Sequence, residues 1–236
     1  MRTVSKGFTL IEIAIVLVII GLLLGGVLKG QELITGARVR NLISQQDGIK
    51  AAFFGFQDRY RALPGDYAAA DTNINCGATP CNNGNGNGRI EAAGAGAIHE
   101  EILAWNHMTA AGFLNGSYTM ISGATAPLTT NNPVNPYSVY LTIVYDGVYG
   151  TGTVAAPIAN KHNLKTGSQV PVEIISEVDR KIDDGQPYTG GFQFSVYVPT
   201  ASFAAPVASP NGCIVAASQT WDINGTSTNC GGVSLF

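Results

Sequence analysis

Carboxylates, histidines, amides and cysteines cluster at a few places in this 236-residue chain, and each place suggests a different chemistry. His99-Glu100-Glu101 begins like a zinc-protease helix, where two histidines one turn apart hold the metal beside a glutamate base. The second histidine belongs at position 103, which is Leu103. His107 lies two turns beyond His99, about 12 Å along a helix and too far to share one ion. A surface or core histidine is therefore expected at both positions. Asn83, Asn85, Asn87, Gly88 and Ile90 match positions 1, 3, 5, 6 and 8 of a calcium-loop pattern. The early ligands are amides, however, and position 12 is Gly94 where a bidentate glutamate is needed. A flexible Gly/Asn loop is the expectation. The run is not GxGxxG and follows no strand directly, which argues against a dinucleotide site.

Asp179, Asp183 and Asp184 are the densest carboxylates, with Arg180 and Lys181 between the first two. A solvated helix end followed by a turn is expected there. No cofactor is expected, and calcium at these three acids is the sole metal candidate. The four cysteines fall in two close pairs, Cys76 with Cys81 and Cys213 with Cys230. An even count in an exported chain favours disulfides, and local pairing is the simplest of the three connectivities. Neither pair has CxxC spacing, so zinc or thioredoxin-like chemistry is not expected. No Ser/His/Asp or Cys/His arrangement stands out, and no enzyme is expected. The remaining candidate is Glu12, the sole charge among the 21 residues 8–28. A lone carboxylate in hydrocarbon costs a few kcal/mol on insertion scales, so it needs a partner.

These residues must be held by a small set of elements. Residues 8–28, as a helix, reach roughly 30 Å, about the thickness of bilayer hydrocarbon. Arg2 and Lys6 precede them and favour a cytoplasmic N-terminus. Beyond the apolar run, Val39, Leu42, Ile49, Phe53, Phe56 and Tyr60 have the spacing of one helix face. One helix over residues 8–60 would be about 80 Å long. Gly21, Gly25, Gly26, Gly30 and Gly36 weaken it, either for close helix packing or for a segment that stretches on assembly. Pro64-Gly65 suits a type II turn after the helix. A second helix is expected over 98–111, with Ile98, Ile102, Trp105 and Met108 on one face and Gly112 as its cap. Strands are expected at 139–145 and 192–198, and a short helix at 171–182 ended by Asp183-Asp184-Gly185.

Composition narrows the class. The net charge of −3 shows no basic stripe, so nucleic acid is not an expected direct partner. Only 12% of residues are charged, and glycine numbers 29. This composition fits a loop-rich, β-containing body joined to something apolar. A secretory signal peptide would be cut after the apolar run, next to small residues. Gly25-Gly26 could serve, yet the helical pattern continues through Lys29 without a break. A plain signal anchor gives no reason for Glu12.

The segment Lys6-Gly7-Phe8-Thr9-Leu10-Ile11-Glu12 closely resembles the class III signal of type IV prepilins and type II secretion pseudopilins. The resemblance covers about the first 30 residues. It implies that a prepilin peptidase and methyltransferase cuts between Gly7 and Phe8 and N-methylates Phe8. It implies that Glu12 is an assembly residue, neutralising the new amine at Phe8 of a neighbouring subunit. An α-amino group is largely cationic at neutral pH, and pairing two charges in a low-dielectric core biases subunits toward one register. The disulfide-bounded region from Cys213 to Cys230 adds a second, looser resemblance to type IV pilins.

The fold implied is α+β and pilin-like: a long N-terminal α-helix, hydrophobic in its first half, packed on a C-terminal globular head with a small antiparallel β-sheet. The implied organisation is a leader at 1–7, a transmembrane and filament-core helix at 8–60, and a periplasmic or extracellular head at 61–236. Implied partners are the inner-membrane assembly platform and other copies or other pilins in one filament. The implied location is a single pass in the inner membrane, then a periplasmic or extracellular filament. A pilus subunit is the leading reading. A secretion pseudopilin, a pilin-derived assembly or DNA-uptake component, and a membrane-anchored periplasmic binding module or enzyme are the alternatives.

Overall fold

A computed structural model describes residues 9–77, 81–91, 99–119, 124–153, 155–200, 202–208 and 212–236. The expected helical periodicity is realised as α1, Leu10–Tyr60, in a single 51-residue run. By packing the chain divides into two compact units, Met1–Arg38 and Val39–Phe236. In the first unit nothing lies within 4 Å of where a Cβ would stand on Gly21, Gly25, Gly26 or Gly30. These glycines therefore do not serve close packing inside this chain.

The second unit starts where α1 acquires a buried face. Val39, Leu42, Gln46, Ile49, Ala52, Phe53 and Phe56 are buried, which fills the helical stripe read from the sequence. Gln46 occupies the step between Leu42 and Ile49 that no apolar residue fills. Two clusters form along this stripe. Val39 and Leu42 join helix α4 (Val172–Ile182), strand β3 (Phe192–Phe194), Trp221 and the cystine of Cys213 and Cys230. Ile49, Phe53 and Phe56 join helix α3 (Glu100–Ala110), strand β1 (Thr142–Asp146) and strand β2 (Lys161–Lys165) through Trp105, Met108, Ile143 and Leu164. Each large apolar side chain buried this way contributes roughly 1.5–3 kcal/mol.

A one-turn helix α2 (Ala70–Asn73), a two-residue hairpin of β4 (Ile214–Val215) and β5 (Thr220–Trp221), and the last strand β6 (Gly232–Leu235) complete the elements. The main sheet is antiparallel in the order β1-β2-β6-β3, so the C-terminal strand is inserted between β2 and β3. Gly232 begins β6 because a Cβ there would stand 2.4 Å from the Phe192 ring.

Several expectations shift. The first strand starts at Thr142 rather than 139; Tyr140 makes an isolated bridge to Val134. The second ends at Phe194 rather than 198, although the Ser195 N–H still reaches the Gly231 carbonyl. Strands β2 and β6 were not expected at all. Helix α3 starts at Glu100, and Ile98 lies outside the described residues. Helix α3 is also buried nearly all round, Glu100, Glu101, Leu103, Ala104 and His107 included, and not on one face alone. Helix α4 and its stop at Asp183 match the expected span, with Pro171 as the N-cap.

Candidate functional site

The functional segment begins with the first turn of α1. Thr9 and Glu12 stand three apart and form a reciprocal cap. The Thr9 backbone N–H donates to Glu12 Oε2 at 2.8 Å, and the Thr9 hydroxyl donates to the same oxygen at 2.7 Å. The Glu12 N–H donates back to Thr9 Oγ1 at 3.3 Å. This is a capping box, in which a hydroxyl residue and a glutamate satisfy donors that the helix itself leaves unpaired. Its Thr-x-x-Glu signature is present in the sequence and was missed there. Within one chain, then, Glu12 already has a partner.

The side chains that follow have none. From Leu10 to Leu28 the large aliphatic side chains are between 46% and 88% exposed. A continuous apolar surface of this size is covered in the cell by lipid or by other protein. Among the described residues this is the one helix long and apolar enough to cross a membrane. Residues 2–28 match the family described as the prokaryotic N-terminal methylation motif. That motif supports a type IV pilin-like or pseudopilin protein. No curated protein and no solved structure matches the chain. Gly7 and Phe8 lie outside the described residues.

The pilin-like motif implies processing by a prepilin peptidase, insertion in a membrane, and assembly with other pilins. Such proteins are structural rather than catalytic, and the head shows how its buried polar groups are used for structure. Three arrangements of them, and the buried Asp179, were not legible in the sequence.

The first is Lys165. It lies on β2 with Asn163, and both side chains point to the face opposite Leu164, as alternation requires. Lys165 is 1% exposed. Its Nζ donates to Asp146 Oδ1 and to the Val148 carbonyl, each at 2.8 Å. The ammonium also stands 5.3 Å from the centre of the Tyr197 ring. Burial pushes its pKa down to about 8, with Asp146 opposing. Asp146 Oδ1 accepts two further bonds, from Asn163 Nδ2 at 2.9 Å and the Val148 N–H at 3.2 Å.

The second is the clamp around residues 82–91, whose Gly/Asn run at 82–89 was expected to be a flexible loop. Asp66 accepts the N–H groups of Asn87 and Gly88, both at 2.9 Å. Glu100 accepts those of Asn85 at 2.9 Å and Glu91 at 3.2 Å. Both acids are buried, and burial pushes both pKa values up against the pull of those donors. Asn85 and Asn87 spend their side-chain oxygens on local turns: Asn85 Oδ1 takes the Asn87 N–H and Asn87 Oδ1 the Arg89 N–H. Gly94 lies outside the described residues.

The third is His107, fully buried in α3. Its Nδ1 accepts the Gly65 N–H at 3.0 Å, and its Nε2 donates to the Asn82 carbonyl at 2.9 Å. Those two partners fix the neutral tautomer, and burial lowers the pKa to about 4. The ring stacks on Phe56, with 6.0 Å between centres. His99 is the N-cap residue of α3, and its Nδ1 lies 3.4 Å from Glu101 Oε1.

Cys76 pairs with Cys81 and Cys213 with Cys230, at Cα separations of 5.2 and 5.8 Å. Of the three acids near α4, Asp183 and Asp184 are exposed, as a helix end and turn require. Asp179 departs from that expectation: it is fully buried and accepts a 2.6 Å bond from Trp221 Nε1. The sequence could not show this, because Trp221 is 42 residues away.

Proposed function

We propose that this chain is a structural subunit of a type IV pilus. In this reading it is inserted in the inner membrane with its N-terminus in the cytoplasm. It is cleaved after Gly7, N-methylated on Phe8 and polymerised through α1. The observation that carries the reading is the exposed apolar surface from Leu10 to Leu28, interrupted once, by Glu12, immediately behind the processing motif. Burial of that surface between subunits supplies the driving force. Glu12, capped by Thr9 within one chain, exchanges or shares that partner with the amine of an adjacent subunit. The large head and its disulfide-closed C-terminal hairpin favour a pilus over a secretion pseudopilus.

Intact mass of the protein recovered from membranes tests the processing. Loss of residues 1–7 with gain of one methyl group is expected. An intact N-terminus, or loss of the whole apolar segment, refutes the reading. Imaging of surface filaments with and without the gene separates a pilus from a secretion pseudopilus.

A further inference from the structure

We infer that the groove between α4 and the β4–β5 hairpin receives Arg59 and Arg61 of a second copy of this chain. The inference rests on the proposed filament, in which copies stand side by side with their α1 helices parallel. The groove is open and has a volume of about 740 Å³. Four acids line it, Glu173, Glu177, Asp184 and Asp222, against one base, Arg180. Arg180 is already spent on Glu177, as is Lys181. Glu173 and Asp222 form no ion pair among the described residues. Val215 and Ile223 give the groove an apolar edge, with Ile223 64% exposed. A negative groove with an apolar edge suits a cation carried on an apolar stem, and arginine has both.

The matching cations stand where α1 ends, in the run Arg59-Tyr60-Arg61, and both arginines are exposed. Arg61 pairs with Asp58 at 3.4 Å, but the two side chains are 83% and 80% exposed. A pair so open to water is worth little and exchanges readily for a better partner. The Arg59 guanidinium lies 5.2 Å from the centre of the Tyr60 ring. Stacking of that kind leaves the N–H edge of a guanidinium available to a carboxylate.

The two patches lie toward opposite ends of the part of α1 that the head encloses. Trp221, in the groove wall, and α4 share a core cluster with Val39 and Leu42. Tyr60 packs instead against the cluster of Ile49, Phe53 and Phe56. From Leu42 to Tyr60 the helix rises roughly 27 Å, which keeps the groove from its own arginines. A parallel copy shifted along α1 by about that rise brings its arginines level with the groove. Such a contact joins two different patches, so it does not close on itself, and each copy can hold one neighbour above and another below. Burial of the apolar half of α1 drives assembly, and the charges fix the register.

Charge exchange in the full-length chain tests the contact, read as sheared filament yield against the amount of processed protein in membranes. Arg59→Glu with Arg61→Glu, and separately Glu173→Arg with Asp222→Arg, should each cut the yield roughly tenfold, because like charges then face each other. All four substitutions together should restore it to about the wild-type level. Tryptophan fluorescence of the detergent-purified variants checks that each head is folded. As a second measurement, Arg61→Cys combined with Glu173→Cys should, on oxidation of filaments, give a ladder of linked subunits, and either cysteine alone should not. Wild-type yield from either reversed pair, no restoration by the combination of two folded parents, or absence of the ladder overturns this contact while leaving the filament in place. Linkage of Glu173→Cys to itself or to a different protein does the same. A wild type that forms no filament overturns the proposed pilus subunit and this contact with it.

Discussion

Removing either partner of the buried Lys165–Asp146 pair should destabilise the head, but by unequal amounts. Lys165 is 1% exposed, whereas the Asp146 side chain is 19% exposed. Lys165→Met therefore leaves a carboxylate with some water and two remaining donors, Asn163 Nδ2 and the Val148 N–H. Asp146→Ala leaves an ammonium sealed from solvent with one strong acceptor, the Val148 carbonyl. Breaking a buried ion pair by deleting one partner costs about 3–5 kcal/mol. We assign about 4 kcal/mol to Asp146→Ala and about 2 kcal/mol to Lys165→Met, whose orphaned group keeps more of its hydrogen bonds. For a chain of this size, the larger value lowers the melting temperature by about 8–16 °C.

The pH dependence has a definite sign. Lys165 has a folded pKa of about 8 against an ordinary 10.5, so the folded state binds fewer protons than the unfolded state between those values. Stability contributed by this group rises with pH through that window. Without Asp146 the folded pKa falls further, so Asp146→Ala should recover part of its deficit as pH rises toward 8, while Lys165→Met should not. Both tryptophans, Trp105 and Trp221, lie in the head cores, so urea unfolding of the purified protein in detergent can be followed by their fluorescence. Equal losses from the two variants, or a larger loss from Lys165→Met, would refute the reasoning.

Other outcomes follow from single contacts. Gly65 has φ +88°, and a Cβ there would stand 2.3 Å from the Glu100 carbonyl oxygen, so Gly65→Ala should cost at least about 2 kcal/mol in chemical denaturation. His107 is neutral when folded, with a pKa near 4 against an ordinary 6.5. Its stabilising contribution is present above pH 6.5 and is lost as pH falls from there toward 4. Over that range His107→Gln should flatten an acid limb worth about 3 kcal/mol, measured as the difference between variant and wild-type stability curves. Glu12→Ala loses both the capping box and the proposed intersubunit partner. It should insert and be cleaved, as mass spectrometry will show, yet contribute little to sheared filaments; a normal filament yield would count against the assembly role of Glu12.

The N-terminal segment was the most legible part of the sequence because its signals are local. Apolar length, flanking charge, the Gly7-Phe8 motif and the position of Glu12 all sit within about 30 consecutive residues. The buried stripe of α1 was legible for the same reason: helical periodicity is a property of neighbours, and Val39, Leu42, Ile49, Phe53 and Phe56 are all buried as their spacing predicts. Helix α4 could be read from its own pattern, Pro171 and Asp183 included.

What the sequence could not supply was decided by residues far apart in the chain. Strand β2 reads as Lys-His-Asn-Leu-Lys, a polar segment with no strand signature. It becomes the second strand of the main sheet only because Asp146, Val148 and Tyr197 surround Lys165 with an anion, a carbonyl and an aromatic face. The Asn/Gly run is ordered by Asp66 and Glu100, and Asp179 is buried because Trp221 folds over it. A buried charge or amide is tolerated only where its partners converge. That convergence is set by how the β6 strand and the disulfide loop return to the helix, and no short window of sequence contains it.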